Sequence, residues 1–188
     1  MRYFFIDFLN SEYWDGLHED SYVDRLGQPE WQDHVLGEWD MKPDAPLSEG
    51  DLAELRQLRA WLRGIVQRAN ASLPLPPNDI ERMNGYLGQS SGTWRFSVND
   101  DNAYRIDRQP TDRNLAWLES EIVLSFARLL TDGEPKRLKI CENDRCKWIF
   151  YDASKNKSRK WCDHGICGNL MNVRRHRERK TKGAERDE

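Results

Sequence analysis

Residues 141–167 read CENDRCKWIFYDASKNKSRKWCDHGIC and contain every cysteine of the chain: Cys141, Cys146, Cys162 and Cys167. Four residues separate the members of each close pair, and fifteen separate the pairs. Each pair therefore fits one tight turn and offers two sulfurs to a single tetrahedral ion. Four thiolates leave no open coordination position, so the metal this pattern predicts is structural, one Zn²⁺ per chain. Unmetallated thiols and an iron–sulfur cluster are the alternatives at this spacing, and the charged, basic surroundings lend redox chemistry no support. Disulfides are the default only in an oxidising compartment, where nothing places this chain. His164 stands two residues past Cys162, an awkward span for two ligands on one ion, and is expected beside the site. His18, His34 and His176 are isolated and assigned to no site.

Between the pairs, Trp148-Ile149-Phe150-Tyr151 has the aromatic and β-branched character of a strand. Lys155-Asn156-Lys157 is expected to turn the chain back towards Arg159-Lys160-Trp161, with Trp148, Phe150 and Trp161 as a miniature core. From Gly168 onward strong helix formers continue with no breaker until Gly183, so the last cysteine is expected to begin a basic helix. Residues 136–182 hold 15 Lys and Arg against 5 Asp and Glu, a net of +10, whereas residues 1–135 hold 13 against 24, a net of −11. The overall charge of −3 hides this split. A basic segment suited to a polyanion is joined to an acidic body.

That body reads as mainly helical with one small β-hairpin, an α+β arrangement over 1–135. The C-terminal module, 136–182, is a zinc-bound β-hairpin and basic helix, and 183–188 is a tail. Phe4, Phe5, Phe8 and Leu9 recur at near-helical spacing. Trp31, Val35, Leu36 and Trp39 fit a short helix before Pro43. Ser48 and Asp51 have capping-box spacing ahead of Leu52, Leu55, Leu58, Leu62, Ile65 and Val66, which predicts a helix over 49–70. Asn78 is expected to cap a shorter helix carrying Ile80, Met83, Tyr86 and Leu87. Trp94–Val98 and Tyr104–Ile106 alternate around Asn99-Asp100-Asp101-Asn102, the pattern of a hairpin. Thr111 or Asp112 is expected to cap a long helix with Leu115, Leu118, Ile122, Phe126 and Leu129 on one face, ended by Gly133 and Pro135.

Taken together, Cys141, Cys146, Phe150-Tyr151-Asp152, Ser154, Asn156, Arg159, Trp161-Cys162, Cys167-Gly168-Asn169 and the basic run from Arg174 resemble the CGNR-type zinc-finger proteins of bacteria. FFIDFLNS, residues 4–11, looks like the opening motif of the ABATE domain that precedes the finger in that family. The resemblance implies a transcription regulator whose zinc module binds DNA and whose N-terminal domain senses something. Leu170 stands where the signature arginine follows Asn169, and Asn172 replaces an expected lysine.

The expected function is thus a DNA-binding regulator, with Lys155, Lys157, Arg159 and Lys160 on the turn and Arg174, Arg175, Arg177, Arg179 and Lys180 on the helix neutralising phosphates of double-stranded DNA. A zinc-stabilised RNA-binding or protein-interaction adaptor is the alternative. No nucleophile–base pair, open metal site or phosphate loop has a recognisable spacing, so no enzyme is expected. A small-molecule or protein effector is the expected partner of the N-terminal domain. A homodimer fits regulators that read two half-sites, although no heptad is present. The opening segment meets Asp7 at once and no apolar run is membrane-length, so a cytoplasmic protein without a membrane partner is expected. The body is also expected to fold without the module.

Overall fold

The computed structural model describes residues 2–71 and 73–184, with side chains described as far as Arg177. Helix α1, Phe4–Leu9, is the centre of the molecule: Phe4, Phe5, Ile6, Phe8 and Leu9 are all buried. A helix apolar at every position but Asp7 must be largely surrounded, and α1 packs against α3, Glu49–Asn70, and α5, Leu115–Thr131. The Phe5 and Phe126 rings meet edge to face at 5.1 Å.

Helix α3 starts as its sequence dictates. The Ser48 side chain accepts from the Asp51 N–H and the Asp51 carboxylate accepts from the Ser48 N–H, a complete capping box. Its buried stripe is Leu52, Leu55, Leu58, Leu62, Ile65 and Val66. Helix α2, Pro29–Glu38, seats Val35 and Leu36 in the same core, and α4, Pro77–Gln89, lies across α5. Two starts differ from expectation. Pro77 opens α4, leaving Asn78 inside its first turn, because proline's fixed φ and absent N–H suit the first helical position. Asn114, not Thr111 or Asp112, caps α5 and accepts from the Trp117 N–H at 3.0 Å. Asp44 accepts from the Arg113 N–H and donates its own to the Arg113 carbonyl, which holds Arg113 outside the helix.

The described residues also form three two-stranded antiparallel ladders. Strands β1, Glu12–Tyr13, and β2, Val23–Asp24, pair at the base of a loop over residues 14–22. Beneath them lies a charge network: buried Arg59 donates to Ser11 Oγ and Asp24 Oδ1, both at 2.7 Å, and Arg63 pairs with Glu12 at 2.6 Å. Strands β3, Gly92–Val98, and β4, Tyr104–Pro110, form the expected hairpin, aligned from Gly92↔Pro110 to Val98↔Tyr104.

The third ladder differs from the sequence reading. Strand β6, Ile149–Tyr151, pairs with β5, Leu138–Ile140, across the first cysteine pair, not with residues 159–161. Asp152, fully buried, accounts for this by gathering the following loop around its carboxylate. It accepts from the Ser154 and Arg159 N–H groups at 2.9 Å and pairs with Lys139 at 3.0 Å. Burial opposes that charge, but these bonds hold its carboxyl well below the usual range.

The β5–β6 ladder is part of the body's core. Leu138 and Ile149 belong to the same buried cluster as α1, α3 and α5. Asn10, at the end of α1, donates to the Ile149 carbonyl at 2.8 Å and accepts from its N–H at 2.9 Å. Helix α6, Asn169–Ala184, follows a π-turn over His164–Gly168. Among the described residues no helix is long and apolar enough to cross a membrane.

Candidate metal centre and its basic surface

The four cysteine sulfurs lie within 4.8 Å of one another. Cys146 and Cys162 sulfurs are 3.6 Å apart, and Cys162 and Cys167 sulfurs 3.7 Å. Those spacings are far beyond a disulfide's. They match the edge of a tetrahedron of sulfurs about 2.3 Å from a central ion, which is about 3.8 Å. Three of the thiols are buried and Cys162 is half-buried.

Local structure sets each ligand. Cys141 leaves β5 with its N–H bonded to the Trp148 carbonyl at 2.8 Å, and Cys146 donates to the Asn143 carbonyl at 2.9 Å, so the first pair sits on one knuckle. Cys167 lies inside the π-turn, whose start is fixed by the Asp163 carboxylate accepting from the Ile166 N–H at 2.8 Å. The π-turn therefore starts ahead of Cys167, and α6 itself opens two residues after it, at Asn169. Exposed His164 packs its ring edge-on to Trp161 and is not in the cluster of four sulfurs.

Charge in the cluster is shared unevenly. Hydrogen bonds from the Cys146 and Cys162 thiols hold Cys141 far down. The same contacts push Cys146 up to about 12, and Cys162 higher still. Four crowded sulfurs cannot all ionise alone, and a divalent cation removes that conflict by binding thiolates. The donor set, spacing and burial fit one structural zinc.

Asn143 was missed by sequence reasoning, although it lies inside the first cysteine knuckle. It is fully buried and uses both ends of its amide. Its Nδ2 donates to the Gly16 carbonyl at 3.0 Å and to the Cys167 sulfur at 3.4 Å. Its Oδ1 accepts from the Arg145 N–H and the Arg174 guanidinium, each at 3.3 Å. One side chain thus ties a ligand, the body's 14–22 loop and the basic helix together. Gly16 has φ +76°, and a Cβ there would stand 2.9 Å from Asn143 Nδ2 and 3.4 Å from the Cys167 sulfur. Only glycine meets both demands.

The basic residues divide by surroundings. Arg159 donates to the Trp161 carbonyl at 2.8 Å and to the Cys162 carbonyl, and lies over the Phe150 ring. Arg174 bonds Asp144 at 3.0 Å besides Asn143. Both fasten the module. Lys155, Lys157, Lys160, Arg175 and Arg177 are exposed. Lys157 pairs with Glu134, and Lys160 with Glu142 at 3.2 Å. Arg175 sits over the Trp161 ring at 5.7 Å. The side chains of Arg179 and Lys180 lie outside the described residues.

Residues 137–180 match the family model of the CGNR zinc finger. Residues 4–133 match the family model ABATE, described as "Putative stress-induced transcription regulator". No curated protein matches the chain.

Proposed function

The chain belongs to the ABATE family, whose description is "Putative stress-induced transcription regulator", and carries a CGNR zinc finger, and from that premise we propose that it binds double-stranded DNA through the metal-organised module. The carrying observation is that the cysteine cluster is tied to the basic helix: Asn143 bonds both the Cys167 sulfur and Arg174, while the next residue, Arg175, is exposed along with Arg177. Lys155, Lys157 and Lys160 add a second exposed strip on the loop gathered by Asp152. These side chains neutralise phosphates and release counterions, while the −11 body repels the polyanion. The zinc acts by ordering the module, and the proposed role is regulatory and not catalytic.

Trp148 and Trp161, the side chains best suited to stacking on single-stranded bases, are half-buried. Trp148 meets Tyr13 edge-on and Trp161 meets His164. That packing favours the duplex over an RNA or adaptor role. The proposed effector seat is a cleft of about 590 Å³ between α3, α4 and α5, lined by Glu54, Gln57, Arg82, Tyr86, Gln89 and Glu119.

Fluorescence anisotropy with a mixed-sequence duplex, repeated over a salt series, tests the DNA reading. If Arg175 and Arg179 each neutralise one phosphate, replacing both by alanine should lower the logarithmic salt slope by about two, equally on unrelated sequences. An unchanged affinity and slope with zinc still bound would remove DNA as the partner.

A further inference from the structure

The β3–β4 hairpin leaves the body as an arm, and its register puts Trp94, Phe96, Val98, Tyr104 and Ile106 on one face. Facing pairs are Phe96↔Ile106 and Val98↔Tyr104, and the Phe96 and Tyr104 rings stack at 5.5 Å with 16° between their planes. All five side chains are between 52% and 76% exposed. Half-buried strands alternate because one face is covered, and here the covering layer is missing among the described residues.

We propose that this face is a dimer interface, occupied by the same face of a second copy of this chain. The area supports that choice. With aromatic side chains offering about 150–250 Å² each, the five exposed groups present roughly 700 Å². That exceeds the largest apolar patch of a typical monomer, about 300–600 Å². Burying it on two copies removes roughly 1,400 Å², inside the range of specific interfaces, about 1,200–2,000 Å².

Charge selects the occupant. Residues 92–110 carry Arg95, Arg105 and Arg108 against Asp100, Asp101 and Asp107, so the arm is neutral. It has no excess of positive charge for a nucleic acid and none of either sign to select an oppositely charged protein. The face itself carries one ionic group, Arg108, which is bonded to the Ser90 carbonyl. A face whose other side chains are all apolar is complementary to itself, the condition a two-fold interface imposes. An isolated two-stranded hairpin is marginal in water, and apposing two of them gives each a hydrophobic backing. This inference gives the expected homodimer a location and does not rest on the DNA reading.

Sedimentation and light scattering of the zinc-loaded full chain across 1–100 µM test it. The parent should show twice the 22.2 kDa chain mass. Phe96→Asp should weaken association at least about thirty-fold, the loss of a buried aromatic hot spot. Ile106→Ser should weaken it in the same direction, and Arg95→Ala on the opposite face should not. Circular dichroism and zinc content should be unchanged in all three, since the positions are exposed. A monomeric parent at 100 µM, a dimer indifferent to both Phe96→Asp and Ile106→Ser, or equal disruption by Arg95→Ala would overturn the proposal.

Discussion

A chain cut after Gly133 should be barely stable, although the cut falls at the boundary where charge and composition change. Removing everything beyond it takes Leu138 and Ile149 out of the core, where they are 3% and 1% exposed. Burying an aliphatic side chain of that size contributes about 1.5–3 kcal/mol. Asn10, 2% exposed, loses both bonds to Ile149. Losing two such bonds, at about 0.5–1.5 kcal/mol net each, costs a further 1–3 kcal/mol or so. The loss is then about 4–9 kcal/mol against a total stability of about 5–15 kcal/mol for an ordinary domain. Urea titration followed by far-ultraviolet circular dichroism, on residues 1–133 and on the whole zinc-loaded chain, measures it. A fragment that unfolds cooperatively within about 1 kcal/mol of the whole chain would refute the shared-core reasoning, since that margin is smaller than the burial of one of the two aliphatic side chains.

Two further outcomes follow from single positions. Gly16→Ala puts a Cβ in left-handed backbone and against Asn143, so it should cost at least about 1–2 kcal/mol and speed zinc transfer to a chromophoric chelator; unchanged transfer would separate the 14–22 loop from the metal site. Burial, aided by Glu54 and Asp51 and opposed by Arg82, pushes the Glu119 carboxyl up to about 7 from 4.5. The folded state therefore keeps a proton the unfolded state has released, and stability falls as pH rises from about 4.5 to 7, by up to about 3 kcal/mol at 1.36 kcal/mol per unit. Glu119→Gln should lack that fall and gain on the parent over the window, and parallel stability curves for the two chains would contradict the assignment.

What the sequence revealed is what its local spacing encodes. The Ser48–Asp51 box, the α3 stripe and the paired cysteines each place cooperating residues within one turn or knuckle, so spacing specified their geometry. Gly16 lies 127 residues from Asn143, and Asn10 lies 139 from Ile149, and nothing local marks either as a partner. Glycine after Asp15 reads as an ordinary turn; its requirement arises from a sulfur that arrives from the other end of the chain. Asp152 redirected the chain for the same reason, since a buried carboxylate recruiting Ser154, Arg159 and Lys139 keeps residues 159–161 from turning back along β6. The alternation at Trp94–Val98 predicted the hairpin correctly, but periodicity reports which side chains share a face and not whether anything lies over it.

The pairing of Asn10 with Ile149 also governs when the protein can mature during its synthesis. Helix α1 leaves the ribosome well ahead of its partner, which follows 139 residues later. At about 5–20 residues per second the nascent chain spends roughly 7–28 s with the phenylalanines of α1 waiting for β6. The cysteine knuckle leaves the ribosome just ahead of Ile149, while Cys162 and Cys167 follow it. Final closure of the core and assembly of the four-cysteine site therefore belong to one interval of synthesis, the emergence of residues 141–167.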